Sequence, residues 1–121
     1  MGALVIGQEL ARQAKKRFIF AEKGEERKLE LRRGFQLAVA ERVLIVEDVM
    51  TRGGRIQECC TLIRAAGAVP VGVAVLLDRS AGQLDLGLQT AALIALDFPT
   101  FIPGNLPQAL KAVPAVKPGS A

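Results

Sequence analysis

The sequence predicts an α/β domain with a Rossmann-like core, a parallel sheet flanked by helices. Three observations carry that prediction. Apolar runs at residues 42–47, 69–77 and 91–96 have the unbroken character of strands covered on both faces, as parallel sheets require. Between the first two, Ile56, Cys59, Cys60, Ile63 and Ala66 recur at helical spacing. Strand, loop, helix, strand is the rhythm of a βαβ unit. Such a unit is expected to cross over right-handed and to bind ligands at the carboxyl ends of its strands.

Each element has its own local reason. Residues 3–14 read as a helix, because Ala3, Gly7, Leu10, Ala11 and Ala14 fall on one face. FIFA, residues 18–21, reads as a short buried strand. EKGEERK, residues 22–28, is charged and aperiodic and reads as an exposed loop. LELRRGFQLAVA then alternates through Leu29, Leu31 and Arg33 and continues past Gly34 as Phe35 and Leu37. Arg33-Gly34 is placed either to turn a hairpin or to mark a bulge. The central helix is expected to start near Arg55, with Gly67 as its C-terminal cap. Residues 81–90 are a connection without a clear period. The proline-rich end leaves room for one helical turn near residues 108–112.

Composition narrows the function. At 121 residues and 50% hydrophobic, the chain is one domain with enough apolar surface for a core. A net charge of +4 and a pI near 9.5 suit an anionic ligand. Nucleic acid is a poor fit, because there is no Trp or Tyr and only five Phe to stack on bases. Arg12, Lys15, Lys16 and Arg17 form a local basic cluster that reads as a solvated helix end. The absence of His removes the usual general base and every Ser-His-Asp or Cys-His arrangement. Cys59 and Cys60 are adjacent and read as a reduced intracellular pair. No apolar run reaches membrane-spanning length and no signal-peptide layout opens the chain, so a cytoplasmic protein is expected.

The chemistry concentrates in VLIVEDVMTRGGR, residues 43–55. Glu47 and Asp48 stand where the strand of residues 42–47 is expected to end, followed by the short loop Thr51-Arg52-Gly53-Gly54. Glycines let backbone N–H groups converge on an anion, and the following helix N-terminus adds positive potential. Carboxylates repel a phosphate but suit hydroxyl groups or a divalent cation beside it. A sugar phosphate satisfies both halves. The plainer reading of the same residues is a tight turn with two acids capping a helix. Neither a Walker A loop nor a G-x-G-x-x-G fingerprint is present.

VLIVEDVMTRGG resembles the phosphoribosyl-pyrophosphate (PRPP) binding motif of type I phosphoribosyltransferases. FIFAEK followed by LRRGF, GVAVLLDRS and PAVKPGS are similar to stretches of the orotate phosphoribosyltransferases within that class. The resemblance implies a type I phosphoribosyltransferase core and transfer of a 5-phosphoribosyl group from PRPP to orotate in pyrimidine biosynthesis. It implies that Glu47 and Asp48 hold the ribose hydroxyls. Thr51, Arg52, Gly53 and Gly54 then hold the 5′-phosphate, with Arg55 at the edge, and Val49 and Met50 belong to the same PRPP-binding stretch. Thr51 and Arg79 take the orotate, Arg79 by its carboxylate. Lys23 and Asp48 are the implied catalytic residues, Lys23 opposite the leaving pyrophosphate. Mg²⁺ is implied, held mainly by the pyrophosphate and not by protein ligands, and so is a homodimer.

The sequence also departs from that pattern. The resemblance begins late: an N-terminal hood and one core strand of the family have no counterpart, and Met1-Gly2-Ala3 matches the tail of the pyrophosphate loop. The strand without a counterpart would lie between residues 18–21 and 42–47. The expectation is either a gap or direct pairing of those neighbours, with impaired transferase activity. Arg52 stands where the family has a small residue, and an outward-pointing side chain is expected. A donor-binding regulator without turnover and a purine phosphoribosyltransferase are the competing readings, and Arg79 argues against the purine.

Overall fold

A computed structural model describes residues 2–26, 28–80, 82, 84–97, 99 and 101–116. Helix α1 spans Gly2–Gln13. Strands β1 (Ala21–Lys23) and β2 (Leu29–Leu31) form an antiparallel hairpin. Strand β3 (Arg42–Met50), helix α2 (Gly54–Ala65), strand β4 (Val69–Asp78) and strand β5 (Thr90–Ala95) complete the regular elements. Two 3₁₀ turns follow, at Pro103–Asn105 and Gln108–Leu110. The second lies where a helical turn was expected.

The expected parallel sheet is present, in the order β3-β4-β5. Register slips once, between Val43 and Leu44, where Val43 stands opposite Pro70 and Leu44 opposite Gly72. Pro70 has no N–H to donate, so the ladder passes it with an extra residue in β4. Beneath the sheet, α2 buries Ile56, Cys60 and Ile63 against Ile45, Val73 and Val75. Ile56 and Val73 are each only 1% exposed. Full burial of a side chain of that size stabilises the fold by about 1.5–3 kcal/mol. Helix α2 ends as expected: Gly67 takes φ +76, and its amide donates to Arg64 O at 2.9 Å.

Four expectations need correction. The strand expected at residues 18–21 begins only at Ala21 and runs to Lys23, inside the stretch expected as a loop. Phe18 and Phe20 instead stack together at 6.2 Å. Phe20 meets Phe35 edge-on at 5.2 Å, so ring packing replaces ladder pairing. The hairpin closes earlier than Arg33-Gly34, with Gly24 N donating to Lys28 O at 2.8 Å. Arg33 (φ 58) and Gly34 (φ 75) do form a turn, closed by Phe35 N to Arg32 O at 3.0 Å, but no strand follows it.

The other corrections concern the sheet. Strand β3 continues past residue 47 to Met50, so the acid pair lies inside the strand. β5 is not a core strand: it is an edge strand exposed along its whole length, with Leu93 77% exposed. Its apolar composition reads as central, but no element among the described residues covers it. Of the two outcomes expected between residues 18–21 and β3, the unpaired one is seen, since β1 pairs with β2 and β3 with β4. The basic cluster is exposed as expected, with Arg12 bonded to Glu9 and Arg17 to Glu41. Residues 117–120 of PAVKPGS lie outside the described residues.

Candidate functional site

The site grows from the end of β3. A cavity of about 60 Å³ opens there, lined by Glu47, Val49, Met50, Thr51, Gly53, Gly54, Arg55 and Ile56. Seven of those residues are site residues expected from the sequence; the eighth, Ile56, is a core residue that forms the floor. The loop turns because Gly53 takes φ +70, a left-handed conformation that glycine adopts without steric cost. Helix α2 then begins at Gly54, one residue before the expected start. No side chain caps that end. Its first N–H groups and its positive dipole end therefore face the cavity without an internal acceptor.

The two acids behave differently. Successive strand residues point to opposite faces. Glu47 lines the cavity, while Asp48 faces the start of α1. The opening residue of α1, Gly2, lies so close to Asp48 that a Cβ there would overlap the carboxylate. The positive end of α1 thus meets a negative charge, a favourable arrangement. Asp48 Oδ1 also accepts the Val49 amide at 2.8 Å. Glu47 Oε1 accepts the Asp48 amide at 3.2 Å. Partial burial, then the neighbouring Asp48 carboxyl, raise the pKa of Glu47 above the ordinary carboxylate value.

Arg52 is exposed, as expected for an outward side chain, and does not line the cavity. Arg55 lines the edge, with its guanidinium paired to Glu58 at 2.7 Å. Arg79 is exposed at the end of β4, and its amide donates to Met50 O at 2.8 Å, next to the loop. Lys23 stands apart, exposed on the separate hairpin and paired in register with Leu29. The structure therefore gathers seven of the expected β3–α2 residues around one cavity, ties Arg79 beside them, and leaves Asp48, Arg52 and Lys23 outside the lining.

Sequence reasoning missed three contributors. Ser80 Oγ is buried with no hydrogen-bond partner among the described residues, while its amide donates to Asp78 Oδ1 at 2.7 Å. Leu84 and Leu86 pack against Gly53 from the connection that gave no periodic signal. Their alternation with exposed Asp85 and Gly87 is visible in the sequence, but it follows a strand-like period in a segment that forms no strand.

The phosphoribosyl transferase domain family matches residues 1–87. The chain belongs to that family. It is 43% identical over 120 residues to the orotate phosphoribosyltransferase of Desulforamulus reducens, covering 99% of this chain and 62% of the relative. It is 46% identical to the orotate phosphoribosyltransferase of Novosphingobium aromaticivorans, covering 99% of this chain and 61% of the relative. The chain thus spans a little over three fifths of the length of these relatives. The fold superposes on the crystal structure of orotate phosphoribosyltransferase from Aeropyrum pernix with a TM-score of 0.64 and 24% identity, over 79% of this chain and 56% of that one.

Proposed function

We propose that this chain carries the ribose 5-phosphate half of the donor site of an orotate phosphoribosyltransferase. The observation that supports it most is the cavity at the β3–α2 junction. A half-buried carboxylate, a left-handed glycine and an uncapped helix N-terminus meet there within one short loop. The phosphate sits on the amides of Thr51 to Gly54, and the ribose hydroxyls face Glu47 from the cavity and Asp48 from the α1 side of β3. In the reaction the C1′–oxygen bond to pyrophosphate breaks, a bond from C1′ to orotate N1 forms, and the N1 proton is lost to the departing pyrophosphate. Orotidine 5′-monophosphate and pyrophosphate are the products. The transition state has oxocarbenium character and calls for positioning and charge stabilisation more than a strong base.

Arg79 grips the orotate carboxylate, which a guanidinium can bind through two parallel hydrogen bonds. Thr51 contacts the same ligand from the loop. Lys23 supplies positive charge to the leaving pyrophosphate from the β1–β2 hairpin. Among the described residues no group of three or more His, Cys, Asp or Glu side chains is placed to hold a metal ion. A Mg²⁺ would be brought mainly by the pyrophosphate of PRPP, while Glu47 and Asp48 serve the ribose hydroxyls. When bound, the cation would neutralise charge on the leaving group. A homodimer is the expected assembly, and no described helix is long and apolar enough to cross a membrane.

Calorimetric titration of the 121-residue chain tests this reading. The expected result is binding of PRPP in the presence of Mg²⁺, and binding of orotate in preference to adenine or uracil. Absence of PRPP binding, or tighter binding of adenine than of orotate, would overturn it.

A further inference from the structure

Within the exposed loop of Thr51, Arg52, Gly53 and Gly54, only Gly53 is buried. Leu84 and Leu86 bury it. A Cβ built on Gly53 would overlap the Leu84 side chain and lie 3.0 Å from Leu86 Cδ2. Both leucines belong to the connection between β4 and β5, and both rest on the core beneath α2. That connection has no regular structure over residues 84–89. Its shape is held by Asp85 Oδ1, which accepts the Gly87 amide at 2.8 Å, and by Leu84, Leu86 and Leu88 seated on the core.

We propose that Leu84 is a positioning residue for the anion loop. Its side chain fills the space that a side chain at position 53 would need. It thereby holds Gly53 in the left-handed conformation that turns the loop amides toward the cavity. The inference rests on the reading that this loop takes the 5-phosphate. It adds a link between the two ligand subsites, because Arg79 and Leu84 share one connection whose first residue is tied to Met50. Leu84 does not line the cavity, and its proposed effect runs through Gly53.

Ribose 5-phosphate titrated calorimetrically into the 121-residue chain is the probe. Leu84→Ala is expected to weaken binding about tenfold, the scale of a small displacement of a positioned group. Leu84→Met, which keeps volume and reach, is expected to stay within about twofold of the parent chain. Leu88→Ala removes a leucine of the same connection from the same core, and Leu88 is not among the atoms nearest Gly53. It is also expected to stay within about twofold, at a loss of melting temperature similar to that of Leu84→Ala. Equal weakening by Leu84→Ala and Leu88→Ala would reduce Leu84 to a core residue and overturn the inference. So would unchanged binding by Leu84→Ala, with the loop assignment left standing. Failure of the parent chain to bind ribose 5-phosphate would overturn the loop assignment and the inference together.

Discussion

The amide of Arg79 donates to the carbonyl of Met50 at 2.8 Å, tying the residue after β4 to the last residue of β3. The position of Arg79 is therefore set by its backbone, and side-chain substitutions there leave the tie intact. Arg79→Lys keeps the charge but loses the planar fork that matches a carboxylate. It is expected to weaken orotate binding by about 1.5–3 kcal/mol, the range for a hydrogen bond to a charged group. Ribose 5-phosphate binding should not change. Paired calorimetric titrations with the two ligands check both halves of the statement.

Gly53→Ala meets two costs at once. A non-glycine residue in the left-handed region costs about 1–2 kcal/mol. The new methyl would also overlap the Leu84 side chain, and overpacking of that kind costs about 1–3 kcal/mol. The expected outcome is a loss of about 2 kcal/mol or more in urea unfolding, with ribose 5-phosphate binding abolished. Gly54→Ala is the control, because nothing lies within 4 Å of a Cβ there and no positive φ is required. It should unfold close to the parent.

Glu47 should make the fold less stable as pH rises. Its folded pKa is raised, mainly by burial, so the protonated acid is the form the fold prefers. That stability is fully present below the carboxylate's unfolded value. It is lost as pH climbs through the raised folded value. Glu9, Glu22 and Glu41 are shifted downward by their hydrogen-bond and ion-pair partners and act in the opposite sense. The difference between the parent chain and Glu47→Gln isolates the Glu47 contribution. Melting temperatures from about pH 4 to pH 8 should show Glu47→Gln gaining on the parent as pH rises. A constant difference across that range would contradict the assignment.

Cys59 should be a slow thiol. Burial first, then the negative charge of Glu47, push its pKa up to about 11. The thiolate is the reactive form, and at pH 8 almost none is present. Alkylation of the folded chain at pH 8 should be far slower at Cys59 than in the urea-unfolded chain, where an ordinary cysteine titrates near about 8.5. Site-resolved mass spectrometry of partly alkylated protein gives the two rates. Glu47→Gln removes one of the causes and should speed the folded-state reaction.

The legible parts of this protein were those whose signal is local and periodic. The helix face of Ile56, Cys59, Cys60 and Ile63 predicted α2, and Gly67 predicted its end. The apolar runs predicted β3 and β4 in parallel register. The loop of Thr51 to Gly54 was legible as a turn, because Gly53 readily supplies the positive φ between β3 and α2. Failures arose where a neighbour decides the outcome. Apolar β5 reads as central, yet it lies at an edge, because composition records what a strand can bury and not what covers it. The acid pair reads as the end of β3, but pairing with β4 carries the strand to Met50, opposite Asp78. Phe18 and Phe20 read as a strand, and their ring contacts with each other and with Phe35 decide otherwise. Leu84 and Leu86 were illegible as site residues, since their role is defined by the empty side of Gly53.

Arg52 is the residue that departs most visibly from its surroundings, a long cation in a loop of small residues. Its side chain is exposed and does not line the cavity, while the adjoining Gly53 is buried. A loop held by Gly53 and its leucines does not need a small residue at position 52, because that side chain points to solvent. Arg52→Thr should therefore leave stability within about 0.5 kcal/mol of the parent, as exposed substitutions usually do. Any effect on phosphate binding should be that of a solvent-screened charge, a modest loss that shrinks as salt is raised. Titration of ribose 5-phosphate at low and high ionic strength separates the possibilities. A large, salt-independent gain in affinity for Arg52→Thr would mean that the guanidinium occupies the anion's place. A small loss confined to low salt would mean that Arg52 only adds to the positive field around a cradle built by the backbone.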